Sequence, residues 1–329
     1  MRQNETMLKK MSAVDIVDYS IEVYKRNIKK LTMLSLILYV PFALLYVFLS
    51  GSISKDLNRL TSQNGTNFSL AMAFLLVSIV LFIVYLCYFL TINGVLQAAI
   101  TKVVYNDVVY GKSIGLKEVI KDSFRKIFKI LGYRALFYLI MAGGLIGTFI
   151  GAVIMLWAII FMLAMGMSVL NSGGRFIEGF VIFFGVVILI AFVLGAIISI
   201  CFFYIKFGFG VQAIIIENKG AADGIARSSE LSKKMFWNSF VALFTGGLIY
   251  FFIPSISIGI TVLLSFADEE LYRQVRLGTT AFVQLGYALF YPFLATLTTN
   301  IFINWKVNNE GLDLEVKVDK MLAGDIHEI

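Results

Sequence analysis

The sequence predicts an all-α, polytopic membrane protein with six transmembrane helices, arranged as three repeats of an amphipathic elbow helix followed by a helical hairpin. Three observations carry that prediction. First, 59% of the residues are hydrophobic and only 15% are charged, whereas a soluble domain carries about 25% charged residues. Second, apolar stretches long enough to cross a bilayer run approximately over Leu31 to Gly51, Leu70 to Ala99, Leu131 to Val169, Phe176 to Ile216, Phe240 to Phe266 and Thr279 to Trp305. Third, a related segment precedes each pair of stretches at intervals of roughly a hundred residues.

Those segments are Ser20-Ile21-Glu22-Val23-Tyr24-Lys25-Arg26, the weaker copy Ser123-Phe124-Arg125-Lys126-Ile127-Phe128-Lys129, and Ser228-Ser229-Glu230-Leu231-Ser232-Lys233-Lys234. In the first, Val14, Val17, Ile21, Tyr24, Ile28 and Leu31 follow helical steps of three and four, with Asp15, Asp18, Glu22, Lys25 and Lys29 away from them. Leu116, Ile120, Phe124, Ile127 and Leu131 repeat the pattern. The elbows are expected over Ala13 to Lys30, Gly115 to Lys129 and Ala222 to Trp237. Such helices either lie in the headgroup plane with their lysines toward anionic lipid or simply support the bundle.

Each unit closes in a polar turn: Asn106-Asp107 through Gly111, Glu217 through Gly220, and Asn308-Asn309-Glu310-Gly311. Glycine readily takes the left-handed conformation that ends a helix. The expected organisation is one membrane domain over 1–329, with repeats at 12–111, 113–220 and 221–311 and a tail at 312–329. Three hairpins of the same direction are related by an axis along the membrane normal.

Orientation follows from Lys and Arg, which stay on the cytoplasmic side of short loops. The basic residues crowd the N-terminal segment, the loop after the second stretch, the loop after the fourth and the tail. Both termini are therefore expected in the cytoplasm, in a cell inner membrane. The net charge of +7 thus lies beside the spans, which argues against nucleic acid as the partner. Lys25, Arg26, Lys126, Lys129, Lys233 and Lys234 form the expected face for anionic membrane lipid or for another membrane or cytoplasmic protein. The same residues also serve topology alone.

Candidate chemistry is sparse. Cys87 and Cys201 lie in apolar runs and the lone histidine, His327, is in the tail, so no metal or cofactor is expected. No nucleophile elbow, zinc helix or phosphate-cradling loop occurs. Arg134 is counted among the loop cations, which leaves the span interiors almost free of charge. The expectation is a non-enzymatic membrane component, with a transporter of a lipid, amphiphile or peptide as the alternative. Gly143, Gly147 and Gly151 recur every four residues and suit close helix packing. Pro41, the Gly143-Gly144 pair and Pro254 are candidate kinks.

Mitochondrial carriers also combine six spans with three hairpins, but their repeated Pro-x-Asp/Glu-x-x-Lys/Arg is absent from Pro41-Phe42-Ala43-Leu44, Pro254-Ser255-Ile256-Ser257 and Pro292-Phe293-Leu294-Ala295. The chain instead resembles the bacterial family named for the membrane domain of glycerophosphoryl diester phosphodiesterases. The likeness rests on Ile16-Val17-Asp18-Tyr19-Ser20 through Tyr24-Lys25-Arg26-Asn27 leading to Pro41, on Glu217 through Ala226-Arg227-Ser228-Ser229-Glu230-Leu231, and on Trp305 through Glu315. It departs from the family pattern in lacking arginines before Glu310. In bifunctional members a soluble barrel carries the phosphodiesterase chemistry. The resemblance covers only the membrane part, so it implies a stand-alone membrane domain without that activity.

Overall fold

A computed structural model describes residues 8–47, 68–169, 174–267 and 269–322. His327 lies outside the described residues. Twelve helices account for all regular structure among the described residues: α1 (Ala13–Leu38), α2 (Val40–Val47), α3 (Phe68–Leu90), α4 (Ile92–Tyr110), α5 (Leu116–Arg125), α6 (Ile127–Val169), α7 (Gly174–Phe207), α8 (Gly210–Ile216), α9 (Ala221–Ser232), α10 (Phe236–Ala267), α11 (Glu269–Glu310) and α12 (Leu312–Leu322). Four helical stretches, Leu75–Tyr110, Ile127–Ala158, Phe183–Ile216 and Ala281–Glu310, are long and apolar enough to cross a membrane. The number becomes six when the bent pairs α1–α2 and α9–α10 each count as one.

Local chemistry sets the helix ends. Ser12 and Asp15 form a capping box at the start of α1, with the Asp15 amide donating to Ser12 Oγ and the Ser12 amide to Asp15 Oδ2. The closing turns each hold a left-handed residue, but not always the expected glycine. Gly111 (φ 62°) and Gly311 (φ 69°) stop α4 and α11, while in the middle turn Asn218 (φ 55°) takes that conformation and Gly220 is extended at the N-cap of α9. Asparagine tolerates the left-handed region because its short amide can bond locally.

The core occupies one half of the bundle, where α4, α8 and α11 meet. Thr299 on α11 bonds Thr101 on α4 at 3.2 Å, and Gln212 on α8 donates to Thr298 on α11 at 3.1 Å. Helix α1 lies along α4 and α11, burying Val23, Leu31 and Leu34 against Val95, Ile100, Val104 and Ile303. Phe209, Trp305 and Phe302 fill the junction with α10. In the other half, large apolar side chains such as Phe82, Trp157, Ile198, Phe252 and Leu263 stand exposed. So much bare hydrocarbon suits lipid rather than water.

Several expected details shift. Helix α1 continues through its elbow into the first span and bends by 43° only at Tyr39, two residues before Pro41. That bend fits the amide missing at proline. The third elbow does turn sharply, by 104°, but between Ser232 and Phe236, so Trp237 belongs to α10. Val14 and Ile28 are exposed, and the buried stripe of α1 passes instead through Ser20, Val23 and Asn27. In lipid, apolarity does not distinguish the protein-facing side of a helix, whereas small and polar residues do. The three repeat serines, Ser20, Ser123 and Ser228, are all fully buried.

The same principle corrects the glycine face. Gly143, Gly147 and Gly151 border open space, whereas a Cβ on Gly144 would stand 2.1 Å from the Phe203 ring of α7. The contact continues one turn on, where Thr148 and Ser199 share a hydrogen bond of 2.9 Å. Helix α6 runs unbroken past Gly143-Gly144 and α10 unbroken past Pro254, so neither position interrupts its helix.

Candidate functional site

The second and fourth expected spans are interrupted where they reach the edge of the core. Thr91 separates α3 from α4, and Gly208 with Phe209 separates α7 from α8. A break frees backbone carbonyls, which in a bilayer need internal partners. Two consecutive residues of α6 supply them: the Arg134 guanidinium donates through Nη1 to the Phe89 carbonyl, and the Tyr133 hydroxyl donates to the Phe207 carbonyl at 2.8 Å. On α11, Pro292 removes an amide, and the nearby Leu289 carbonyl accepts from the Tyr24 hydroxyl at 2.8 Å.

Arg134 is only 5% exposed. Its Nη2 donates to Asn93 Oδ1 at 3.0 Å and to Gln97 Oε1 at 2.9 Å, and the guanidinium sits 5.6 Å from the centre of the Phe89 ring. The Tyr291 hydroxyl donates to the same Asn93 Oδ1 at 2.8 Å and holds that side chain in place. Gly94 permits the approach, since a Cβ there would lie 2.7 Å from Ile130 and 3.1 Å from Arg134 Nε. All three acceptors are neutral. Among the described residues Arg134 makes no ion pair, so its fixed charge is solvated by dipoles but not neutralised. The arginine, Tyr133, Tyr138, Tyr204 and Tyr291 line a partly open cavity of about 140 Å³.

The expected basic face divides into two groups. Arg26 is committed to Asp107 at 2.6 Å, Lys126 to the Ile215 carbonyl at 3.4 Å, and Lys129 to the Asn218 carbonyl and side chain at 3.4 Å. Each tie runs from an elbow to the closing turn of its own expected repeat, or to the residues just before it. Lys25, Lys233 and Lys234 are exposed and make no such tie among the described residues.

A denser network gathers around Arg227 on α9. It pairs with Glu217 at 2.8 Å, with Glu230 at 3.1 Å and with Glu310, while Lys306 reaches Glu217 at 3.1 Å. Burial opposes ionisation of Glu217, but hydrogen bonds from Arg227 and Lys306 outweigh it and hold the carboxyl below its ordinary value. Asn309 also donates to the Leu231 carbonyl at 3.0 Å.

No family model, curated protein or solved structure matches this chain. Sequence reasoning placed Arg134 among the loop cations because basic residues crowd the stretch before it. The signal that would have found it is positional: Arg134 lies seven residues into α6, about 10 Å along the axis at 1.5 Å per residue. Asn93 and Gln97, one turn apart in an apolar run, mark the facing wall.

Proposed function

We propose that this chain is a non-enzymatic integral membrane protein that binds the anionic head of an amphiphile between its repeats. The single observation that carries the reading is the buried Arg134, a permanent charge with neutral partners lining a partly open cavity. Charged groups at such depth are costly and mark ligand or ion pathways by default. The fold belongs to the same proposal: six crossings in three elbow-and-hairpin units about one axis, with both termini on the cytoplasmic side of a cell inner membrane. Ties from the elbows to the closing turns support it.

The likeness to the phosphodiesterase membrane domain enters here as well. Two of its three segments are joined through Arg227, which touches Glu217, Glu230 and Glu310. We read the chain as a relative of that membrane domain acting without phosphodiesterase chemistry. Transport of the bound amphiphile is a second reading, favoured by the two helix breaks beside the cavity, since interrupted helices form the sites of many transporters.

The test is to purify wild type and Arg134→Gln from membranes and quantify the amphiphiles each retains. The reading expects anionic species enriched on wild type and depleted on the variant. Equal retention by two well-folded proteins would overturn it.

A further inference from the structure

Charge, volume and donor count at Arg134 narrow the ligand class. We propose, building on the reading above, that the ligand is a long-chain acid whose small, singly charged carboxylate enters the cavity while its apolar chain leaves toward lipid.

The first argument is charge. Arg134 brings one positive charge, and among the described residues no second cation lines the cavity. A carboxylate balances it, whereas a phosphomonoester at neutral pH carries about −1.5 to −2 and would bury excess charge. Volume is the second. The cavity, about 140 Å³, has room for a carboxylate and its first methylenes.

The third argument is donors. A guanidinium has five N–H groups, and the bonds to Phe89, Asn93 and Gln97 use three. Nε–H and one Nη1–H are left. Two further hydroxyls, those of Tyr138 and Tyr204, line the cavity and donate to nothing among the described residues. Apolar walls at Phe89, Phe137 and Leu294 suit the chain that follows the head.

The experiment places wild-type protein in nanodiscs of zwitterionic lipid and measures equilibrium binding of probes with one chain length. These are a carboxylic acid, the corresponding alcohol, an alkyl phosphate and an alkyl sulfonate, with acetate as the chainless head and phosphatidylglycerol as the large-headed anion. A hydrogen bond to a charged group contributes about 1.5–3 kcal/mol, or roughly 10- to 100-fold in affinity. The acid should therefore bind about 10- to 100-fold tighter than the alcohol, and Arg134→Gln should bring it to the alcohol's level. Arg134→Lys should recover part of the difference. Acidification should release the acid but not the sulfonate.

If the alkyl phosphate or phosphatidylglycerol binds as tightly as the acid, and Arg134→Gln weakens all of them, the carboxylate assignment fails and the broader reading stands. Acetate binding as well as the long-chain acid would also overturn the assignment. If the alcohol matches every anion on wild type, both fall. That comparison needs no variant, so it decides even if Arg134→Gln does not fold.

Discussion

Replacing Arg227 with glutamine should loosen the junction of α8, α9 and α11, and the size of the loss can be worked from the contacts. Arg227 makes two bonds to Glu217, at 2.8 and 3.1 Å, with side chains only 18% and 11% exposed. The contact with Glu230 counts for little, because that side chain is 67% exposed and surface pairs contribute about 0–1 kcal/mol. A hydrogen bond to a charged group is worth about 1.5–3 kcal/mol, but Lys306 stays at 3.1 Å from Glu217 and offsets part of the loss. The expected destabilisation is about 2 kcal/mol, read as a shift in the denaturing-detergent midpoint of purified protein. Glu217→Gln with Arg227→Gln should cost less than the two singles together, because no buried partner is left orphaned. The pair also carries a pH signature. A carboxyl held below its unfolded value of 4.5 adds stability that is complete above that value and vanishes as pH falls through the folded value. Wild type should thus lead Glu217→Gln at neutral pH and lose the lead on acidification below about pH 4.5. Strict additivity, or a lead that does not shrink as pH falls below 4.5, would refute the reasoning.

Other expectations are more local. Gly144→Leu should destabilise by about 1–3 kcal/mol through overpacking against Phe203, while Gly143→Leu and Gly147→Leu should be close to neutral in the same unfolding assay. Equal effects at the three positions would contradict the contact. Lys25, Lys233 and Lys234 changed together to Gln should weaken binding of the purified protein to anionic vesicles without lowering stability, and Arg26→Gln with Lys129→Gln should do the reverse. Each free lysine near an anionic surface is worth about 1 kcal/mol, so unchanged vesicle binding would reduce those lysines to topology. For orientation, an impermeant thiol reagent added to intact cells should miss cysteines placed at Lys121 and Lys233 and reach one at Ser62; labelling at Lys121 would invert the proposed topology.

What the sequence made legible was set by the solvent. Long apolar runs and missing charges impose helices in lipid whatever their neighbours, so the helical class and the positions of the long stretches could be read directly. Three buried serines lay in the segments singled out by repetition, and the left-handed stops at Gly111 and Gly311 lay in the polar turns. Facing was harder. Val14 and Ile28 look like core residues by hydropathy yet point away from the bundle, and Gly143 looks like a contact that Gly144 makes. Arg134 was misplaced for a related reason: its role depends on breaks at Thr91 and Gly208 in other helices, whose freed carbonyls no local pattern announces.

The most direct measurement is an experimental structure of the protein in nanodiscs containing anionic amphiphile, read at Arg134. The account predicts an anionic head within hydrogen-bonding reach of Arg134 Nε, with the guanidinium still tied to Phe89, Asn93 and Gln97. A side-chain carboxylate paired with Arg134, or a guanidinium turned out to bulk water, would contradict it.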